Sequence, residues 1–260
     1  MNHSYVKVTS QVIYCKSKYY KLLLCFLNVL FDDDNLSGTG TTPLLTLIYI
    51  YLKVKPIVKD LQDIVQTGLI ILAAGSSSRL GTPKQNLVYR GQTLLQRAIQ
   101  TALTSVCHEN VVVVLGANEG VIRPGISDEL VHIAYNTLWQ EGMASSIRLG
   151  ITELLSIQPS ISSAILMLCD QPFVDPLLIY QLTEKRAETD FGIIACAYRE
   201  SLGVPVLFNA SYFPQLLMLQ GKEGAKKLIK SFPNDVTQIA FPLGAIDIDT
   251  IEDYEQLHGH

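Results

Sequence analysis

Residues 69–84 read LIILAAGSSSRLGTPK. Leu69 to Ala73 form an unbroken apolar run that ends on the small residues Ala74 and Gly75. Such a run, closed by glycine, is the pattern of a strand buried on both faces of a parallel sheet. The polar residues that follow are spaced as Gly75, Arg79, Gly81 and Lys84. No bulky side chain stands on the backbone from residue 73 to 78, so N–H groups there can approach an anion closely. Arg79 offers a planar fork suited to phosphate. Lys84 offers a point charge for the negative charge that develops during phosphoryl or nucleotidyl transfer. The stretch is therefore expected to cradle the phosphates of a nucleoside triphosphate. The residues involved are Leu72, Ala73, Ala74, Gly75, Ser76, Ser77, Arg79, Gly81 and Lys84. Other phosphate loops do not fit, because the chain has neither Gly-Lys-Ser/Thr nor G-x-G-x-x-G at this point. A plain Gly/Ser turn with two solvated cations is the alternative. It does not account for two glycines and two cations directly after a buried strand.

Outward from this loop the chain alternates between two periodicities. Thr93 stands at an N-cap position before Leu94, Leu95, Ala98, Ile99, Ala102 and Leu103, which share one helical face. Val111–Leu115, Val131–Tyr135 and Ala164–Leu168 read as further buried strands, and residues 143–155 and Pro176–Glu188 as helices. Ile193–Ala197, Val206–Phe208 and Val236–Phe241 read as strands, and Gly224–Lys230 as a short helix. Thr250 is expected to open a terminal helix, with acids in its first turn. Strands alternating with helices predict an α/β fold, a mostly parallel sheet covered on both faces. Ligands of such sheets bind beyond the carboxyl ends of the strands.

Asp170 falls at such an end, in Cys169-Asp170-Gln171-Pro172. Mg2+ takes one or two carboxylates together with substrate phosphates and water, so Asp170 is a candidate metal ligand. Asp175 is better placed than Asp170 to cap the helix at Pro176. Asp247 and Asp249 would share a face if they lay on a strand. Asp249, just before Thr250, could equally cap the last helix. Ser145 and Ser146 stand at a helix N-terminus suited to an anion or a base edge.

Leu72 to Lys84, in the form L-A-A-G-x-S-x-R-x-G-x-x-K, resembles the signature of nucleotidyltransferases with the nucleotide-diphosphosugar transferase fold. It is most similar to the molybdenum cofactor cytidylyltransferase group of the MobA-like NTP transferases. The resemblance extends over most of residues 68–257, through Asn136–Trp139, Gly142–Arg148, Cys169–Pro172, Gly203–Phe208, Gly224–Lys226 and Asp247–Thr250. It implies a three-layer αβα Rossmann-like domain that moves CMP from CTP to a phosphorylated acceptor such as molybdopterin. It also implies Mg2+ as cofactor, a second magnesium ligand among Asp247 and Asp249, and Arg79, Lys84 and Asp170 as catalytic residues. A molybdoenzyme is the protein partner it suggests. The sequence departs from the group's pattern at Val204, where histidine is common, and at Lys222-Glu223, where the group has an acid one position earlier. Both positions belong to the acceptor side. An NAD(P)H-dependent oxidoreductase of the same fold and a non-catalytic nucleotide-binding maturation factor are the rival readings.

The whole chain of 260 residues has 48% hydrophobic and 17% charged residues, a globular composition. Its net charge of −4 argues against a nucleic-acid groove. Five scattered cysteines without a C-x-x-C pair fit a reducing, cytoplasmic setting. Residues 1–67 differ from the rest: they carry seven Lys, no Arg and five acids. Their two apolar runs, Leu22–Phe31 and Leu44–Leu52, are each too short to span a bilayer. After Met1 the next methionine is Met143. Residues 1–67 are expected to be a poorly ordered extension or to lie outside the working protein, and 68–260 to be the nucleotidyltransferase domain.

Overall fold

The computed structural model describes residues 66–78, 80–126 and 131–257. The expectations for the first 65 residues and for Arg79 lie outside the described residues. Strand β1 (Thr67–Ala73) is followed by a small hairpin of β2 (Val88–Tyr89) and β3 (Gln92–Thr93). Then come α1 (Leu94–Leu103), β4 (Val111–Leu115), α2 (Glu119–Ile122) and β5 (His132–Tyr135). The middle of the chain forms α3 (Met143–Ile157), β6 (Ser163–Leu168) and α4 (Pro176–Glu188). The last part forms β7 (Ile193–Tyr198), β8 (Ser201–Asn209), α5 (Phe213–Leu217), α6 (Ala225–Ser231), β9 (Val236–Ala240) and α7 (Ile251–Leu257).

Seven strands form one sheet in the order β5-β4-β1-β6-β8-β7-β9. β5, β4, β1 and β6 run parallel, β8 runs against both of its neighbours, and β9 is again parallel to β7. Period-two alternation along β1 sends Leu69, Ile71 and Ala73 to one face, with Leu95 and Ile99 of α1 and Leu178 and Leu182 of α4. Ile70 and Leu72 go to the other face, with Ile147, Ile151 and Leu154 of α3. The result is the three-layer, mostly parallel architecture that the alternating pattern predicts. Burying one such Leu or Ile side chain contributes about 1.5–3 kcal/mol. No helix among the described residues is long and apolar enough to cross a membrane.

Caps explain why the helices begin where they do. Thr93 and Gln96 form a reciprocal capping box at the start of α1. The Asp175 carboxylate accepts from Leu178 N at 2.8 Å at the start of α4. Two elements differ from the sequence pattern. β8 runs from Ser201 to Asn209, where the pattern predicts only Val206–Phe208. Pro205 hides the strand, because proline ordinarily breaks a ladder. Here the register slips between Ala195 and Cys196, whose partners are Val206 and Gly203, so Val204 and Pro205 bulge out unpaired with β7. The β2–β3 hairpin is also missing from the pattern. Its turn residues Arg90 and Gly91 both have positive φ, 51° and 81°, and arginine does not advertise such a turn.

Cys107, Cys169 and Cys196 are buried free thiols. Burial pushes each up to about 12. Because the thiolate is the nucleophile, these three cysteines are expected to resist iodoacetamide in the native state at pH 8 and to react once unfolded. Mass spectrometry of the alkylated chain checks this, and native labelling of any of the three counts against it. An unfolded thiol titrates near 9. Their contribution to stability is therefore full below about pH 9 and is lost as pH rises toward 12.

Candidate active site

The order β5-β4-β1-β6 reverses direction at β1, because β4 and β5 lie on one side of it and β6 on the other. Leu72 pairs with Leu168, so β1 and β6 end side by side. Ligands of such sheets bind beyond the carboxyl ends of the strands at the point where the strand order reverses. One connection leaving these two ends is the loop from Ala74 to Lys84, and the other begins at Cys169-Asp170.

The loop is tied down from beneath. Gln85, 0% exposed, donates from Nε2 to the carbonyls of Ala73 at 2.8 Å and Gly75 at 3.1 Å. The Ser77 hydroxyl donates to Gln85 Oε1 at 3.3 Å and accepts from Lys84 N at 3.0 Å. Leu80 N donates to Ser77 O at 3.0 Å. Ser77 and Gly81 take positive φ, 51° and 67°. Gly75, Ser76 and Ser78 are left exposed above this framework, and a Cβ at Gly75 would meet nothing within 4 Å. Leu72 and Ala73 sit inside the sheet, with side chains in the two apolar layers. Ala74 O accepts from Ala117 N at 3.1 Å, which joins the loop to the end of β4. At Gly116 a Cβ would stand 2.8 Å from the Cβ atoms of both Ala74 and Trp139, so this close approach requires glycine.

Lys84 Nζ lies 2.5 Å from Asp170 Oδ2 and 2.8 Å from Asp249 Oδ1. Burial works against the ammonium, but Asp170 and then Asp249 outweigh it and hold Lys84 protonated above the ordinary lysine range. Burial pushes the Asp170 carboxyl up, and Asp249 and Asp247 add to this against the opposing charge of Lys84. Asp170 is 7% exposed, and its Oδ1 is buried without a hydrogen-bond partner among the described residues. A buried acceptor left unmade is costly, and a carboxylate in this setting gains from positive charge at that oxygen. Asp170 with Asp249 therefore suits a divalent cation that draws its remaining ligands from phosphate and water. Among the described residues no three His, Cys, Asp or Glu side chains are gathered to hold a metal by themselves.

Residues 246–249 belong to no strand. Ile248 is buried, and its N–H donates to Asp170 O at 3.2 Å. Asp247 is exposed, and the Asp249 side chain is 45% exposed beside Lys84. The cap of α7 is made by other residues. Asp253 Oδ2 accepts from the backbone of Asp249 and Thr250, and Thr250 Oγ1 accepts from Asp253 N. Asp249 is thereby released from capping and turned to Lys84. A small apolar cluster of Tyr89, Leu94, Ile248 and Leu257 joins the hairpin to α7, with Tyr254 Oη donating to Val88 O at 2.8 Å. Gln171 donates to the carbonyls of Val204 and Gly244, both at 3.1 Å. It thus fixes the bulge of β8 and the turn before Asp247.

Ser145 and Ser146 are buried in the first turn of α3. The Asn136 amide donates to their hydroxyls at 2.8 and 2.9 Å, and Ser145 Oγ is within reach of the carbonyls of Leu138 and Gly142. The structure places them behind the surface, holding residues 136–142 to the helix. Gly142, with φ 113°, lies so close to Gly221 O that a Cβ would collide with it. Of the predicted residues, the structure brings together Lys84, Asp170, Asp249 and the loop 74–78. Of the supporting residues, the sequence does not single out Gln85; Asn136 enters only within the resemblance, and Asp253 only as a first-turn acid of the last helix. Their signal is weak, since a polar residue that bonds to the backbone looks like any other.

The family model of the MobA-like NTP transferase domain matches residues 69–236. The chain belongs to this family. Nicotine blue oxidoreductase of Paenarthrobacter nicotinovorans is 30% identical over 200 residues, 72% of this chain and 94% of that protein. The MobA-like fold is shared with the Mycobacterium sp. strain JC1 homolog of Mycobacterium tuberculosis rv0371c. That structure has 27% identity and a TM-score of 0.66, and the match covers 75% of this chain and 96% of that one. Rv0371C of Mycobacterium tuberculosis H37Rv in complex with manganese is also similar, with 27% identity, a TM-score of 0.59, and coverage of 74% and 97%. The nucleotidyltransferase class that the loop implies is that of the MobA-like family.

Proposed function

We propose that this chain transfers a nucleotidyl group, CMP from CTP, to a phosphorylated small-molecule acceptor of the molybdopterin kind and releases pyrophosphate. The observation that carries this reading is the meeting of Lys84, Asp170 and Asp249 beside the loop 74–78, with its exposed Gly75, Ser76 and Ser78, at the sheet's reversal point. The backbone of Gly75 to Ser78, with Gly81, receives the triphosphate, and Arg79 adds its charge. A phosphate oxygen of the acceptor attacks the α-phosphorus, the bond to the bridging oxygen breaks, and pyrophosphate leaves with the electron pair. Lys84 balances charge on the transferring group. Asp170 and Asp249 would hold Mg2+, which when bound supplies further positive charge to the phosphates. A similar structure is a complex with manganese, which supports a divalent cation as a cofactor of this chain. The resemblance assigns Val204 and Lys222 to the side that meets the acceptor.

A panel of CTP, GTP, ATP and UTP, with and without molybdopterin, tests the reading through pyrophosphate release with Mg2+. CTP with molybdopterin is expected to give the largest signal. The absence of release from all four would overturn it. One observation favours a second reading, because the relative at 30% identity is named an oxidoreductase. Acceptor-dependent loss of NAD(P)H absorbance without pyrophosphate release would establish that chemistry instead.

A further inference from the structure

We propose that the Lys84 ammonium competes with a divalent cation for the same carboxylates, so that the site takes up its metal together with nucleotide and holds free metal poorly. This deepens the nucleotidyltransferase reading and rests on it. Asp170 Oδ2 and Asp249 Oδ1 are both engaged by Lys84, at 2.5 and 2.8 Å. Asp170 Oδ1 is a buried oxygen without a hydrogen-bond partner among the described residues. A cation seated on that oxygen comes close to the ammonium across a single carboxylate. Lys84 and Asp170 are both largely shielded from solvent, so salt and water screen the repulsion little. Lys84 cannot retreat with its backbone, because Lys84 N is bonded to Ser77 Oγ at 3.0 Å and the adjoining Gln85 is fully buried. Only its side chain can leave. A triphosphate on the loop gives that side chain a new anionic partner and frees both carboxylates for the metal. Metal and nucleotide then strengthen each other's binding, and the coupling is reciprocal.

The test is titration of the full chain with Mn2+ in the absence of nucleotide, followed by electron paramagnetic resonance, with circular dichroism to check the fold. Lys84→Gln and Lys84→Met are expected to bind free Mn2+ about tenfold or more tightly than the wild type. A non-hydrolysable CTP analogue is expected to tighten Mn2+ binding by a larger factor in the wild type than in either variant. Equal or weaker Mn2+ binding by folded variants overturns the competition and leaves the metal reading standing. If no protein binds Mn2+, with or without the analogue, the metal reading falls and the competition falls with it. If a variant is unfolded, recovery of its fold on adding Mn2+ supports the competition, and failure to recover overturns it.

Discussion

Asp170→Asn is expected to lower pyrophosphate release on the order of 10³-fold while the chain stays folded. Asparagine keeps the shape of the side chain and removes the charge that would meet the metal. The backbone around it keeps its anchors, because Ile248 N bonds to the carbonyl of residue 170 and not to its side chain. Lys84 keeps Asp249 as a partner. The loss should therefore fall on turnover with saturating nucleotide, and thermal unfolding should remain cooperative. A variant that released pyrophosphate at close to the wild-type rate would remove Asp170 from the chemistry.

Gln85→Leu is expected to damage both stability and nucleotide binding. The substitution fills the same space but leaves the carbonyls of Ala73 and Gly75 without their side-chain donor, and Ser77 Oγ without an acceptor. Leaving buried acceptors unmade costs roughly 1–3 kcal/mol. The loop then loses its floor, so KM for the nucleotide should rise by more than tenfold, more than kcat falls. Thermal melts and steady-state pyrophosphate assays read the two effects separately. An unchanged melting temperature with an unchanged KM would show that Gln85 is not the support of the loop.

The sequence discloses most of what lies on regular elements and much less of what lies between them. β1, α1, β4 and α4 are legible because unbroken apolar runs, helical spacing and caps such as Thr93 and Asp175 act locally. β8 is not, because its proline is tolerated only through a bulge whose existence depends on β7, a separate strand. The loop and Asp170 are legible because glycine, cation and carboxylate at strand ends have few other uses. The pairing of Lys84 with Asp249 is not, because the partners are 165 positions apart. The choice between Asp247 and Asp249 stays open in the sequence for the same reason. The proposal of Asp249 rests on Asp253 taking over the cap of α7, through bonds reaching across three and four residues that form only in the folded chain.

The cluster of Tyr89, Leu94, Ile248 and Leu257 has a consequence for recombination within the family. It places the segment just after Lys84 and the segment carrying Asp249 on one shared apolar seat. A chimera that exchanged residues 88–94 without 246–257 would inherit both charged groups intact and still misalign them. The two distant stretches are one inheritable unit, and crossovers that keep them from a single parent are the ones expected to preserve a working site.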